Sequence, residues 1–318
     1  MQVVVATHGH CFDGLASAVV FTRLFRAVES ASASFVYRAC GYGEGQASGT
    51  DAVLTGDQNA ILDYKFSASD RLTWYFDHHR TAFEKPGDRD VFESRIATGR
   101  YFYDAACTSC TKLVNTVALE RFGIKTDGLG ELVRWADIID SAAFATPEQA
   151  LDRSNPVMRL AAVIERHGDD HLISRLVPML LEQSVEEVAA SSDITRRYKK
   201  ISEQHERFVR RVREKAQRKG RVVVVDLTEE PLETIGKFVT YALYPDAVYS
   251  VIVGCMKNAA KISVGYNPWS GQACDTDISA ICARYGGGGH PYVGAIQFKA
   301  GELERAREVA AAITLELA

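Results

Sequence analysis

Residues 72–76, Leu-Thr-Trp-Tyr-Phe, form a charge-free run that stops at Asp77-His78-His79. An apolar, aromatic run of this length predicts a buried β-strand. A carboxylate and two imidazoles delivered at one strand end can supply a metal ligand, a group that orients it, and a phosphate contact. Alone, the tripeptide is a weak signal, because structural histidines are common. Three other segments add weight to it.

Val3–Ala6 reads as a short apolar strand, followed by Thr7-His8-Gly9-His10-Cys11-Phe12-Asp13-Gly14 and then a helical pattern through Val19, Val20, Phe21 and Leu24. His8, His10, Cys11 and Asp13 therefore fall on a strand-to-helix turn, at the carboxyl end of a strand, where open α/β sheets bind ligands. Ala60–Leu62 predicts a second strand with a lone acid, Asp63, at its end. Leu132–Asp140 is a mostly apolar helical segment carrying Asp137 and Asp140. An acid after a strand is ordinarily a turn former or helix cap. Four such places in one half of the chain, two of them with histidines, are much harder to explain as caps.

Near the other end, Gly286-Gly287-Gly288-Gly289-His290 lies between a helix-like segment, 277–285, and a strand-like one, 293–298. Consecutive glycines let backbone amides approach and surround an anion, and His290 adds a donor at the rim. A linker between domains is a poor reading of a run flanked so closely by regular elements.

Composition sets the outer limits. A chain of 318 residues, 47% hydrophobic, is expected to build two cores. No apolar run is long enough to span a bilayer, and the start of the chain lacks the pattern of a signal peptide. Seven scattered cysteines then point to reduced thiols and a cytoplasmic location. Cys107-Thr108-Ser109-Cys110 has no second pair, so it reads as a helix start rather than a zinc or redox site. The net charge of −4 argues against broad coating of nucleic acid. One stretch differs: residues 196–221 hold twelve Lys or Arg against three Glu. Apolar residues recur there at spacings of three and four, which predicts an amphipathic helix with a basic outer surface, stopped by Gly220. It serves either as a solvated connector or as an attractor for a polyanion.

Together these motifs resemble the DHH phosphoesterase family, named for its Asp-His-His tripeptide. His8–Gly14 resembles the first family motif, Asp63 the lone acid of the second, Asp77–Ala82 the third, and Ala136-Asp137 the fourth. Arg284–Pro291 resembles the Gly-Gly-Gly-His signature of the associated C-terminal domain. The resemblance implies a parallel-sheet α/β catalytic domain (1–190), a helical connector (191–220) and a smaller mixed α/β substrate-binding domain (221–318). It also implies a phosphoesterase that uses two divalent ions, manganese by ligand type, to activate water. By motif, His8, Cys11, Asp13, Asp63, His78 and Asp137 would hold metal, with Asp63 bridging and Asp140 as the alternative to Asp137. His79 would contact the scissile phosphate and Asp77 would orient the imidazoles. Gly287, Gly288, Gly289 and His290 would grip the substrate phosphate, with Tyr266 and Asn267 also on the substrate side. Tyr266 or Trp269 is placed either to stack on a base or equally to pack within the domain. Many members carry Asp where Cys11 stands, and their turn is one residue longer, so the first metal site is expected to be softer here.

The expected substrate is a short oligonucleotide. A nucleoside-bisphosphate phosphatase or an exopolyphosphatase is the alternative, and a non-catalytic nucleotide-binding protein is the alternative of another class. No membrane partner is expected, and a homodimer is kept open.

Overall fold

The computed structural model describes residues 1–41, 50–232, 236–256, 259–299 and 301–318. The chain divides into two compact units: Met1–Ala143 with Arg153–Lys199, and Phe144–Asp152 with Lys200–Ala318.

Among the described residues the first unit is built on five strands, β1 (Gln2–His8), β2 (Ser34–Cys40), β3 (Gln58–Leu62), β4 (Trp74–Asp77) and β5 (Tyr101–Tyr103), all parallel in the order β2-β1-β3-β4-β5. The expected α/β class with a parallel sheet is what the chain forms. β4 carries aromatic residues on both sides because both sides are covered. Trp74 and Phe76 pack on Phe21 of the Phe12–Val28 helix, at centroid distances of 5.7 and 6.0 Å. Tyr75 points the other way, edge-on to Phe66 and Phe92 at 5.1 and 5.9 Å. Such pairs add about 0.5–1.5 kcal/mol each beyond area burial, so β4 is a rigid base for the residues that follow it.

Register decides what those residues meet. His8 pairs with Cys40, Thr7 with Leu62, Leu62 with Phe76 and Asp77 with Tyr103, so the carboxyl ends of the strands finish level. The chain moves from β1 outward to β2 and then returns to the other side of β1 as β3. Strand order therefore reverses between β1 and β3, the place where open sheets leave a crevice. His8 and Asp63 end those two strands.

Among the described residues the second unit has six strands, β6 (Ala216–Lys219), β7 (Val222–Leu227), β8 (Tyr249–Met256), β9 (Ala259–Tyr266), β10 (Gly288–His290) and β11 (Val293–Lys299), in the order β10-β11-β9-β8-β7-β6. Only β7 and β8 run parallel. One face packs on the Leu303–Leu317 helix through Ile313 and Leu317, the other on Phe208 and Val212 of the Ser192–Lys215 helix. That helix ends earlier than its pattern predicts. Residues 216–219 leave it to pair with β7, and Gly220, at φ 57°, closes the hairpin instead of capping the helix. The pairing is non-local, so helical periodicity gave no sign of it. Part of the helix's basic surface is engaged locally. Arg196 and Arg197 bond Asp193, and Lys215 bonds Glu229. Arg211 donates to the carbonyls of Leu227 and Glu230. Among the described residues, no helix is long and apolar enough to cross a membrane.

Candidate metal centre

At the end of β1 the chain must turn sharply into a helix that lies back against the strand. Gly14 allows this: a Cβ there would sit 2.3 Å from the His8 carbonyl oxygen. The turn carries His8, Cys11 and Asp13 to the carboxyl edge of the sheet. Asp13 is buried and serves two structural donors at once, accepting Cys110 N at 2.7 Å and Thr111 N at 3.0 Å. It thus bonds the first amides of the Cys110–Phe122 helix while one oxygen lies 3.9 Å from His78 Nε2.

Asp63 is the centre of the group. Its backbone is left-handed, φ 56°, a conformation Asp tolerates better than most side chains, and its N–H donates to Phe76 O at 3.0 Å. The side chain is fully buried, and among the described residues neither carboxylate oxygen has a hydrogen-bond partner. His78 Nε2 lies 3.5 Å away, His8 Nδ1 3.7 Å and His79 Nδ1 3.8 Å. A buried carboxylate left without donors is costly unless a cation neutralises it.

Asp77 shapes the third motif. Its Oδ1 accepts the backbone N–H of His78 (2.8 Å) and of His79 (3.2 Å) and the ring Nδ1–H of His79 (2.7 Å), while Oδ2 accepts from Tyr75 at 3.0 Å. Asp77 therefore orients the imidazole of His79 only. His78 is held by a group without a sequence signal: its Nδ1 donates to the Cys107 carbonyl at 3.1 Å. This fixes the tautomer and leaves Nε2, without a hydrogen-bond partner, facing the carboxylates. The Cys107–Cys110 segment acts through its backbone, with Ser109 capping the helix that begins at Cys110.

Of the two acids on the Gly130–Asp140 helix, Asp140 reaches the cluster, 3.3 Å from His78 Nε2. Asp137, expected by motif as the ligand, is bound instead by Lys112 Nζ at 3.0 Å and by the Thr108 hydroxyl. Three residues shift a side chain about 4.5 Å along a helix axis. Here that step moves the carboxylate from one partner set to the other.

Ligand atoms within 4.8 Å of one another fall into three sets: His8, Cys11 and Asp63; Asp63, His78 and His79; and Asp13, His78 and Asp140. The electrostatics match a place built for positive charge. Burial, then the Asp63 and Asp140 charges, raise the Asp13 carboxyl well above the usual range. Desolvation and Asp63 push Asp140 up to about 6. Burial works against the charged form of His78, yet the nearby Asp63 carboxylate, 3.5 Å away, and the charges of Asp140 and Asp13 raise it to about 10. Asp63 itself stays ionised against its burial through His78, His8 and His79. The orphaned oxygens of Asp63 and Nε2 of His78 fit a divalent ion.

The second unit corrects part of the sequence reading. Gly288–His290 is an exposed edge strand hydrogen-bonded to β11, not a free loop. Gly287 and Gly289 are required by packing, since a Cβ at either would lie 2.3 or 2.2 Å from a β11-side carbonyl. Gly288 has open space around it and His290 is exposed. Asn267 is no ligand-binding residue. It is fully buried, donates to the carbonyls of Pro245 and Ala247 at 3.0 and 2.9 Å, and accepts Trp269 N. Trp269 packs on Phe238 and Tyr241 and donates to Phe144 O, contacts that hold its indole against the fold. Tyr266 instead belongs to a row of rings with Tyr292 (5.9 Å) and His290 (5.4 Å). Tyr292 is 54% exposed; its place two residues after His290 was the available signal for it.

Comparison with sequence-family models gives no match, and neither does comparison with curated protein sequences. Solved structures do match over the whole chain. A pGpG-specific phosphodiesterase from Vibrio cholerae superposes with a TM-score of 0.68 at 20% identity, covering 100% of this chain and 99% of that one. An exopolyphosphatase-related protein from Bacteroides fragilis gives 0.58 at 14% identity, covering 99% and 93%. RecJ from Thermus thermophilus in complex with Mn2+ gives 0.61 at 12% identity, covering 100% of this chain and 52% of that one. The chain therefore has the α/β fold of these proteins.

Proposed function

We propose that this chain is a DHH-family phosphoesterase that cleaves phosphodiester bonds in short oligonucleotides, down to dinucleotides, with divalent ions held by the Asp63 cluster. The observation that carries the reading is the buried, unpartnered Asp63 carboxylate, ringed by His8, Cys11, His78 and His79 at the switch point of a parallel sheet. His8, Cys11, Asp13, Asp63, His78 and Asp140 would hold the ions. When bound, such ions lower the pKa of a water and neutralise charge on the phosphoryl group.

The chain's own residues do the rest. Asp77 holds the His79 ring by Nδ1, and burial of the imidazolium is outweighed by that bond, so the His79 pKa is raised. This favours the charged form of His79 and orients it as a donor to a phosphate oxygen. Asp13 keeps the cluster in register with the Cys110–Phe122 helix. A protein that only bound nucleotides would have no use for so many convergent ligands.

Two observations favour a substrate with bases over polyphosphate. One matched structure, with a TM-score of 0.68, is a pGpG-specific phosphodiesterase, and the exposed Tyr292 ring beside His290 suits base stacking, which contributes about 1–3 kcal/mol per base. A panel of short 5′-phosphorylated RNA, nucleoside bisphosphate and polyphosphate, with manganese added, tests the reading. Mononucleotide release from the RNA should exceed phosphate release from the other two; fastest release from polyphosphate would overturn it. His290→Ala should raise KM for the RNA about tenfold and leave metal content unchanged. Hydrolysis of a small artificial phosphodiester should suffer less, because that ester offers little for a remote grip. Loss of metal in this variant would place His290 among the ligands instead.

A further inference from the structure

The three sets of convergent ligand atoms are not chemically alike. His8, Cys11 and Asp63 offer nitrogen, sulfur and oxygen; Asp13, His78 and Asp140 offer nitrogen and two carboxylates. We infer that the centre is built for two different metals, with a thiophilic ion (zinc, iron or cobalt) in the Cys11 site and a harder ion such as manganese in the Asp13 site. The inference rests on the reading of the cluster as a metal centre and specifies which ion each half selects.

Cys11 occupies the N-cap position of the Phe12–Val28 helix, extended at φ −123° and ψ 133°, yet its side chain makes no capping hydrogen bond. Ser, Thr, Asp or Asn would serve the helix better there. Its sulfur instead lies within 4.8 Å of ligand atoms from His8 and Asp63. Asp63 is the independent sign that an ion belongs beside it, being fully buried with neither oxygen bonded. Burial, then the Asp63, Asp13 and Asp140 charges, hold the Cys11 thiol well above its ordinary value, so a bound ion must displace its proton. Thiolate strongly prefers zinc, iron and cobalt to manganese, whereas two carboxylates and one imidazole accept manganese. Neither the Cys107 nor the Cys110 thiol competes for this role, because each donates to a backbone carbonyl, Ser109 O and Phe76 O, at 3.3 Å.

The test is spectroscopic and uses the full chain, stripped of metal and kept reduced. Titration with cobalt(II) should produce a thiolate-to-cobalt charge-transfer band in the near ultraviolet that saturates at one equivalent. Zinc should abolish it and excess manganese should not. Cys11→Ser should lose the band while still binding one manganese by electron paramagnetic resonance. Cys11→Asp provides a second variant: it too should lack the band, and where its carboxylate reaches, manganese should rise from one to two per chain. Absence of the band in the wild type, its survival in Cys11→Ser, or its removal by manganese would each overturn the inference. Wild-type protein that binds two manganese ions with no sulfur band would refute the mixed-metal assignment alone. Failure to bind manganese or cobalt in any form would refute the metal centre itself.

Discussion

Asp63→Asn is expected to reduce turnover by at least about 1,000-fold and to strip bound metal while leaving the fold intact. Asparagine has nearly the same shape, tolerates the left-handed backbone at φ 56°, and keeps the backbone bond to Phe76. What it loses is the charge that His8, His78 and His79 surround. Divalent ions contribute several kcal/mol of charge stabilisation to phosphoryl chemistry, and about 1.4 kcal/mol is worth tenfold in rate. A loss of ~4 kcal/mol therefore sets the expected size. Turnover, metal content and circular dichroism of the variant check it. Wild-type turnover with metal saturating would remove Asp63 from the chemistry.

The second large effect separates the two acids of one helix. Asp140→Asn should lower metal affinity and kcat by about 100-fold, because it removes a carboxylate 3.3 Å from His78 Nε2. Asp137→Asn should cost less than about tenfold, because that carboxylate is paired with Lys112 on a partly exposed surface, a contact worth roughly 0–1 kcal/mol. Parallel metal titrations of the two variants decide between them. The reverse order would return the ligand role to Asp137.

The contrast between these two acids also marks where the sequence stopped being informative. The strand-end residues were legible because each is coupled to its strand by a fixed period: an apolar run ends, and the next side chain lies at the sheet edge. Thus His8, Asp63 and Asp77–His79 could be placed together before any register was known. Asp137 and Asp140 lie near one face of a helix, so the choice depends on how far the helix slides along its packing partners, and periodicity does not carry that distance. The Cys107 carbonyl that orients His78 has no side-chain signature at all.

Other differences have equally local causes. Ala216–Lys219 continues a basic helical pattern but is drawn into the sheet by β7. The glycine run looks like an anion cradle, yet two of its four members are glycine because β11 lies too close for a Cβ. Asn267, an apparent contact for substrate, turned out to hold its own turn together from inside.

Chelation and restoration on one substrate test the central claim most directly. Protein dialysed against a chelator and then freed of it should release no mononucleotide from a 5′-phosphorylated dinucleotide. Addition of divalent ions up to about two per chain should restore release, with no restoration in Asp63→Asn. Hydrolysis that persists after chelation, or that metal restores equally in Asp63→Asn, would contradict a phosphodiesterase centre organised around that carboxylate.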